Sequence, residues 1–414
     1  MTTHVIGAGL AGLSAATTLA ACGEAVVVYD AARQAGGRCR SYFDPALRLT
    51  IDNGNHFVAA GNHAVMTYLD RIGASAHLAG EAEPRFDFVD LTGGKRWALR
   101  PNAGRVPWWV LRPSRRVPGS RARDYLRLAA LLRASPTATL GDVIPTNGPL
   151  WDGLLDTFFR SALNTPPAQA SARLAGAIVR ETILAGGAAT RPRYAVPTLA
   201  AAFVDPALAH LHAHGGIVRL ATRVRSLVFD DNRVAALQLG DDQVSLGVGD
   251  RVILAVPPWI AADLLPGLIV PTAFHAIVNA HFAHAPPPGM PAMLAVLGGT
   301  AEWLVAHPDR ISVTVSAADA LAEVDRATIA ATLWHDIQCA YGFTAPLPRF
   351  QIIKEARATF AATPEQDARR PGATTRWRNL ALAGDWTATG LPATIEGAIR
   401  SGVTAADVCA LTPG

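Results

Sequence analysis

The stretch HVIGAGLAGLSAATTLAACGEAVVVYD, residues 4–30, decides the fold. His4 to Ile6 reads as a strand, Leu10 to Ala21 as a helix, and Ala25 to Tyr29 as a second strand closed by Asp30. Gly7, Gly9 and Gly12 fall where strand turns into helix. The first permits the tight turn, the second lets backbone approach a pyrophosphate, and the third lets the helix close on the strand. The helix N-terminus, at Leu10 and Ala11, adds partial positive charge. Asp30 is placed to accept hydrogen bonds from a ribose diol and to repel a 2′-phosphate. Strand, turn, helix, strand and acid in this order make the glycine pattern specific for a dinucleotide.

The remaining composition fits a globular chain. Its 414 residues are enough for two domains. Half are hydrophobic and 17% charged, which excludes disorder, and glycine and proline show no collagen-like repeat. The net charge of +4 rests on arginine, since lysine occurs only at Lys95 and Lys354, and does not by itself imply nucleic acid. Cys22, Cys39, Cys339 and Cys409 are scattered without CxxC or histidine at ligand spacing, so they read as reduced thiols with no metal site. The chain is already in its first strand at His4, leaving no room for a signal peptide, and the stretch at 174–189 is broken by charge well short of a membrane span. A cytoplasmic protein is expected, with nothing crossing a membrane.

Further helices are expected at Ala122–Arg133, Leu150–Ser161, Ser171–Ala185, Leu199–Ala213 and near Asp325–Ala340, and strands in 217–239, 250–259, 276–284, 293–298, 311–316, 349–356 and 379–385. The strands after residue 274 read as a sheet of a second domain.

Six residues past Asp30 the loop AARQAGGRCRS (31–41) lets Gly36 and Gly37 pass close to a cofactor while Arg38 or Arg40 meets phosphate. With the C-terminal segment LALAGDWTATGLPATIEGAIRSG (380–402), the chain resembles the flavin-containing amine oxidase and phytoene desaturase superfamily. Within it, IDNGNH (51–56) and ALNTPP (162–167) resemble the hydroxysqualene dehydroxylases of hopanoid synthesis. The resemblance implies an α/β fold of the p-hydroxybenzoate-hydroxylase-like type. A Rossmann-like FAD-binding domain would use 1–80, 205–260 and 365–414, and an α+β substrate domain on a mixed or antiparallel sheet would use 81–204 and 261–364. It implies FAD as cofactor, held by Gly7, Gly9, Gly12, Asp30, Gly37, Arg38, Gly54, Gly384 and Asp385, by Val224 through its backbone at adenine, and by the helix opening at Thr394 and Ile395 beneath the flavin carbonyl. Two positions depart from the family pattern: Asp30 stands where Glu is common, and Asn55 where Gln is common.

The implied reaction removes the hydroxyl of hydroxysqualene to give squalene, which needs a proton for the leaving oxygen, a hydride from reduced flavin and a dry apolar cavity. His56 is expected to be the acid or to orient the leaving hydroxyl, with Asp52 and Asn55 supporting it. The alternative is that IDNGNH only shapes a loop, Asp52 bonding backbone amides. Asn164 and Trp386 are expected at the substrate, although the Pro166–Pro167 pair also fits a helix-ending role for Asn164. The competing readings are a carotenoid-type desaturase, an amine oxidase, which usually carries a lysine that AIVNAHFAH (276–284) lacks, and a non-enzymatic prenyl-binding module. With one dinucleotide fingerprint, the reductant of the flavin must be external and is unassigned.

From Lys95 to Arg133 eleven basic residues face only Asp124, interleaved with Trp97, Trp108, Trp109 and several leucines. This is the composition of an element lying on a membrane surface, here the inner face of the cytoplasmic membrane, through which a lipophilic isoprenoid could be drawn. A solvated basic face is the plainer alternative, and no nucleic-acid-binding module surrounds the segment.

Overall fold

In the computed structural model, which describes residues 1–411, the opening unit forms as strand Thr2–Ile6, helix Leu10–Ala21 and strand Ala25–Tyr29. Thr2–Ile6 is the centre of a five-stranded parallel sheet, ordered Ile217–Arg219, Ala25–Tyr29, Thr2–Ile6, Arg251–Leu254, Leu380–Leu382. A parallel sheet must be covered on both faces, and its central residues Val5, Ile253 and Leu254 are fully buried. The helix Ile395–Leu411 packs against Leu10–Ala21 on one face. Their approach is set by Gly402, where an added Cβ would stand 2.2 Å from the Ala11 carbonyl oxygen, and by Ser14, whose hydroxyl donates to the Ile399 carbonyl at 2.9 Å.

A second sheet of seven strands carries the other half of the molecule. Its order is Phe350–Phe360, Phe274–Phe282, Ile311–Val315, Trp303–Ala306, Met293–Leu297, Phe86–Asp90, Lys95–Leu99, antiparallel throughout except where Met293–Leu297 meets Phe86–Asp90. Alternation divides its residues: Val278, Val313 and Leu304 pack under the helix Arg326–Tyr341, while Trp303, Val305 and Thr314 face a large cavity. Asp325 caps that helix by accepting from the amides of Ala327 and Thr328. The sheets, one parallel and one mixed, give the expected α/β fold with an antiparallel-rich second sheet.

Several local expectations need correction. Phe86–Asp90, Lys95–Leu99 and Trp303–Ala306 are strands that sequence patterning passed over, because Lys95 and Arg96 hide the alternation in the second and the third has only four residues. The expected helix Ala122–Arg133 breaks into an α-turn, Ala122–Leu126, and a tighter 3-10 stretch, Arg127–Arg133. The expected helices at 150–161 and 199–213 each begin with a π-turn, Trp151–Leu155 and Ala200–Val204. Among the described residues no helix is long and apolar enough to cross a membrane.

Replacing Gly402 by Val should force the two helices apart. Overpacking of this kind costs about 1–3 kcal/mol. Urea unfolding should show a lower midpoint, and an unchanged midpoint would contradict the tight contact.

Candidate active site

The N-terminus of helix Leu10–Ala21 opens into a cavity of about 1230 Å³ that runs from the glycine turn to the seven-stranded sheet. Gly7 adopts φ +112 with its α-carbon against Ala255, so that a side chain would strike the Ala255 carbonyl. Gly12 is held equally close to the Gly7 carbonyl and lies behind the cavity wall. Gly9 differs: a Cβ there meets no protein atom within 4 Å, and the residue faces the cavity beside Leu10 and Ala11. The first amides of a helix have no intrahelical acceptors, so this end presents free N–H groups. The Asp30 carboxylate accepts from the amides of Ala8 at 2.7 Å and Ala32 at 2.8 Å, drawing the turn against the end of the second strand. Val224 stands in the same wall, 8% exposed. These residues fit a dinucleotide.

Arg38 joins three distant segments. Its guanidinium donates to the Asp385 carboxylate at 2.7 Å and to the Ala358 carbonyl of the seven-stranded sheet. Asp385 follows Gly384, whose amide donates to Ser401 Oγ at 2.8 Å. Arg370 supports the loop from behind, donating to the carbonyl of Asp385 and to Thr389 Oγ1. Thr394 caps the last helix by accepting from the Gly397 amide at 3.0 Å, and Ile395 opens that helix toward the cavity. Gly37 and Gly54 complete this wall.

The segment 51–56 divides. His56 lines the cavity, and burial together with the charge of Arg38 pushes its imidazole down to about 4, so it is neutral near pH 7. Asp52 does not join it: its buried carboxylate accepts from Ser41 Oγ at 2.5 Å and the Leu199 amide at 2.9 Å, and burial raises its pKa. The Asn55 side chain donates to Thr314 Oγ1 at 3.1 Å and the Val313 carbonyl, tying the loop to the sheet. Asn164 ends the helix Asp156–Leu163 in a left-handed conformation, φ +44. Its amide donates to Thr359 Oγ1 at 2.9 Å and the His275 carbonyl, and its oxygen accepts from the Ala317 amide at 2.6 Å. That leaves little for a substrate hydroxyl. Trp386 lines the cavity but is 2% exposed, with its indole N–H given to the Val256 carbonyl.

Beyond the glycine turn and the Arg38 and Asp385 loops the cavity is walled by Phe86, Phe88, Leu154, Phe158, Trp303 and Phe360. Trp109, Tyr125 and Leu128 of the basic segment belong to this wall, and Val110 and Leu131 to the core around it, so these are not surface residues. What the segment exposes is Val106, Trp108, Leu111 and Leu126, with Arg112 and Arg115 stacked on Trp108 at 5.2 and 5.0 Å. Among the polar cavity residues that escaped sequence reading are Glu355, Arg357 and Thr359, at alternate positions of Phe350–Phe360. Polar residues at period two in a strand facing a closed cavity were the available signal. Arg357 lies over Trp259 at 4.8 Å and Phe274 at 5.8 Å.

A parallel sheet with a glycine-turn helix N-terminus, opening onto a cavity floored by an antiparallel-rich sheet, defines a class, the flavin containing amine oxidoreductases, whose family pattern matches residues 10–410. The fold is shared with a putrescine oxidase (TM-score 0.72, 18% identity, 99% of both chains) and with the cyclohexylamine oxidase of Brevibacterium oxydans (TM-score 0.69, 18% identity, 99% of this chain and 98% of that one). Within the class the chain belongs to the hydroxysqualene dehydroxylase family: it is 53% identical to the hydroxysqualene dehydroxylase of Rhodopseudomonas palustris and 48% identical to that of Zymomonas mobilis, in each case over 98% of both chains. It is therefore a flavin-dependent oxidoreductase.

Two substitutions separate cofactor binding from scaffolding. Asp30→Ala should weaken FAD binding about ten- to a hundred-fold, the worth of a charged hydrogen bond, measured by flavin fluorescence on titrating the apoprotein. Asp52→Ala leaves the Leu199 amide and the Ser41 O–H without acceptors in the interior and should destabilise the protein by about 1–3 kcal/mol while turnover per bound flavin stays near wild type. A large loss of turnover in folded, flavin-loaded Asp52→Ala would restore it to the chemistry.

Proposed function

We propose that the protein removes the hydroxyl of hydroxysqualene to give squalene. The observation that carries this reading is the single cavity that begins at the glycine turn and ends among aromatic and aliphatic side chains, in a chain about half identical to hydroxysqualene dehydroxylases. FAD would be held at its pyrophosphate by the amides of Gly9, Leu10 and Ala11, at its ribose by Asp30, near adenine by Val224, and along the ribityl chain by Arg38, Gly384 and Asp385, with Gly37, Gly54, Thr394 and Ile395 around the ring. Reduced, it supplies a hydride. The apolar walls keep water from a carbocation formed when the hydroxyl leaves. His56, being neutral, orients the leaving hydroxyl as a hydrogen-bonding group and adds no positive charge beside a developing cation.

An amine-oxidase reading finds no support in the lysines. Strand Phe274–Phe282 contains none, and Lys354 Nζ donates to the Val324 carbonyl and is not in the cavity wall. The exposed Val106, Trp108, Leu111 and Leu126, set among Arg105, Arg112, Arg121 and Arg127, support docking on an anionic membrane surface, from which a lipophilic substrate would be taken. The flavin reductant would be an external partner.

The deciding experiment is anaerobic: chemically reduced holoprotein is mixed with hydroxysqualene in detergent while flavin absorbance and squalene are followed. Squalene formed in step with flavin oxidation is expected, and bound flavin that stays reduced without squalene would refute the reading. His56→Gln, which keeps a neutral hydrogen-bonding side chain, should retain activity within about ten-fold, whereas His56→Ala should lose more, on the order of 10²-fold. For the surface, replacing Val106, Leu111 and Leu126 together by Ser should abolish sedimentation with phosphatidylglycerol vesicles and leave turnover in detergent intact.

A further inference from the structure

A second cavity of about 850 Å³ lies beyond the partition formed by strands Trp303–Ala306 and Ile311–Val315 and the helix Asp156–Leu163. It is a polar cleft, with Asp90, Lys95, Asp152, Asp156 and Arg160 in its wall. Glu302 stands at its inner end, and Ser316 belongs to the wall of both the cleft and the apolar cavity. Glu302 is 8% exposed, and one carboxylate oxygen accepts from the Ser316 amide at 2.8 Å. The other oxygen is buried without a hydrogen-bond partner, its nearest cation being Arg160 Nε at 3.6 Å. The next residue, Trp303, reaches into the apolar cavity and meets the ring of Phe57, the neighbour of His56, at 5.6 Å.

We propose that Glu302 is the proton source for the departing hydroxyl, acting through Ser316 and refilled from the polar cleft. The inference rests on the dehydroxylase reading. The Ser316 hydroxyl gives its proton to the substrate oxygen as it takes the one from the Glu302 carboxyl. The C–O bond breaks with its electron pair leaving on oxygen and water departs, and the hydride that the carbocation needs is what reduced flavin would supply. Glu302 is left as a carboxylate and regains a proton from solvent in the cleft, so protons arrive without wetting the apolar side. Burial pushes its carboxyl up to about 7, against the Ser316 hydrogen bonds and the charge of Arg160, with Asp156 acting in the same sense as burial. Asp336, from the helix behind, is committed to the amides of Thr300 and Ala301. Because the protonated form is the donor, turnover should be full below this value and fall as pH rises through it.

Glu302→Gln tests the relay. It should bind FAD and substrate normally but lower kcat by about 10²-fold or more, the usual worth of a general acid, and lose the wild-type decline between about pH 6 and 8. An independent readout is the infrared carboxylic-acid C=O band that titrates in this range in the wild type and should be missing from Glu302→Gln. A variant with wild-type kcat, or one that keeps the pH decline and the band, overturns the proposal. Should Glu302→Gln fail to fold, Ser316→Ala decides: a loss of at least ten-fold in kcat at unchanged KM supports the relay, and turnover within two-fold of wild type overturns it. Wild-type protein that forms no squalene overturns the dehydroxylase reading and the relay with it, whereas squalene formation unimpaired in Glu302→Gln overturns the relay alone.

Discussion

The contact on which the rest depends is the one between the first helix and the last. Helices Leu10–Ala21 and Ile395–Leu411 touch where Gly402 offers no side chain to the Ala11 carbonyl. Their separation is fixed by backbone rather than by compressible side chains, and both N-termini therefore open on one cavity. Two helix dipoles converge on the place where an anionic, reducible ligand would sit. Arg38 secures the result by tying the loop after the second strand to Asp385 and to the substrate-side sheet through Ala358.

Burial then does most of the electrostatic work. The same loss of water lowers the pKa of His56 and raises that of Glu302, so both side chains tend toward their neutral forms. The seven-stranded sheet makes the division possible, because alternate residues of one strand face different media: Trp303 the apolar cavity, Leu304 the packed core.

What the sequence disclosed follows from how local each feature is. The glycine turn and Asp30 belong to one strand, turn, helix and strand unit of about thirty residues, and their spacing carries their geometry. Asp52 and His56 lie four residues apart in one motif, yet nothing in that motif tells that Asp52 turns to Leu199, because the partner is fixed by the tertiary fold. Asn164 is satisfied in the same way by three segments. The basic segment shows the limit of composition: its short turns and 3-10 pieces have no sustained 3.6-residue period, so the buried Trp109 and Leu128 could not be told from the exposed Trp108 and Leu126. Glu302 had no local signature at all. Its environment is assembled by residues 160 and 316.

The parallel sheet also sets an order of events in the life of the chain. Its central strand, Thr2–Ile6, is made first, but its neighbour Arg251–Leu254 and the edge strand Leu380–Leu382 are made hundreds of residues later. The glycine turn leans on Ala255, and the first helix leans on Gly402, so neither has its final support until those residues have been made. A nascent chain thus carries the most recognisable cofactor motif it has and cannot use it. A truncation before the last helix removes Gly402 and with it the support of the first helix, however intact the first thirty residues are.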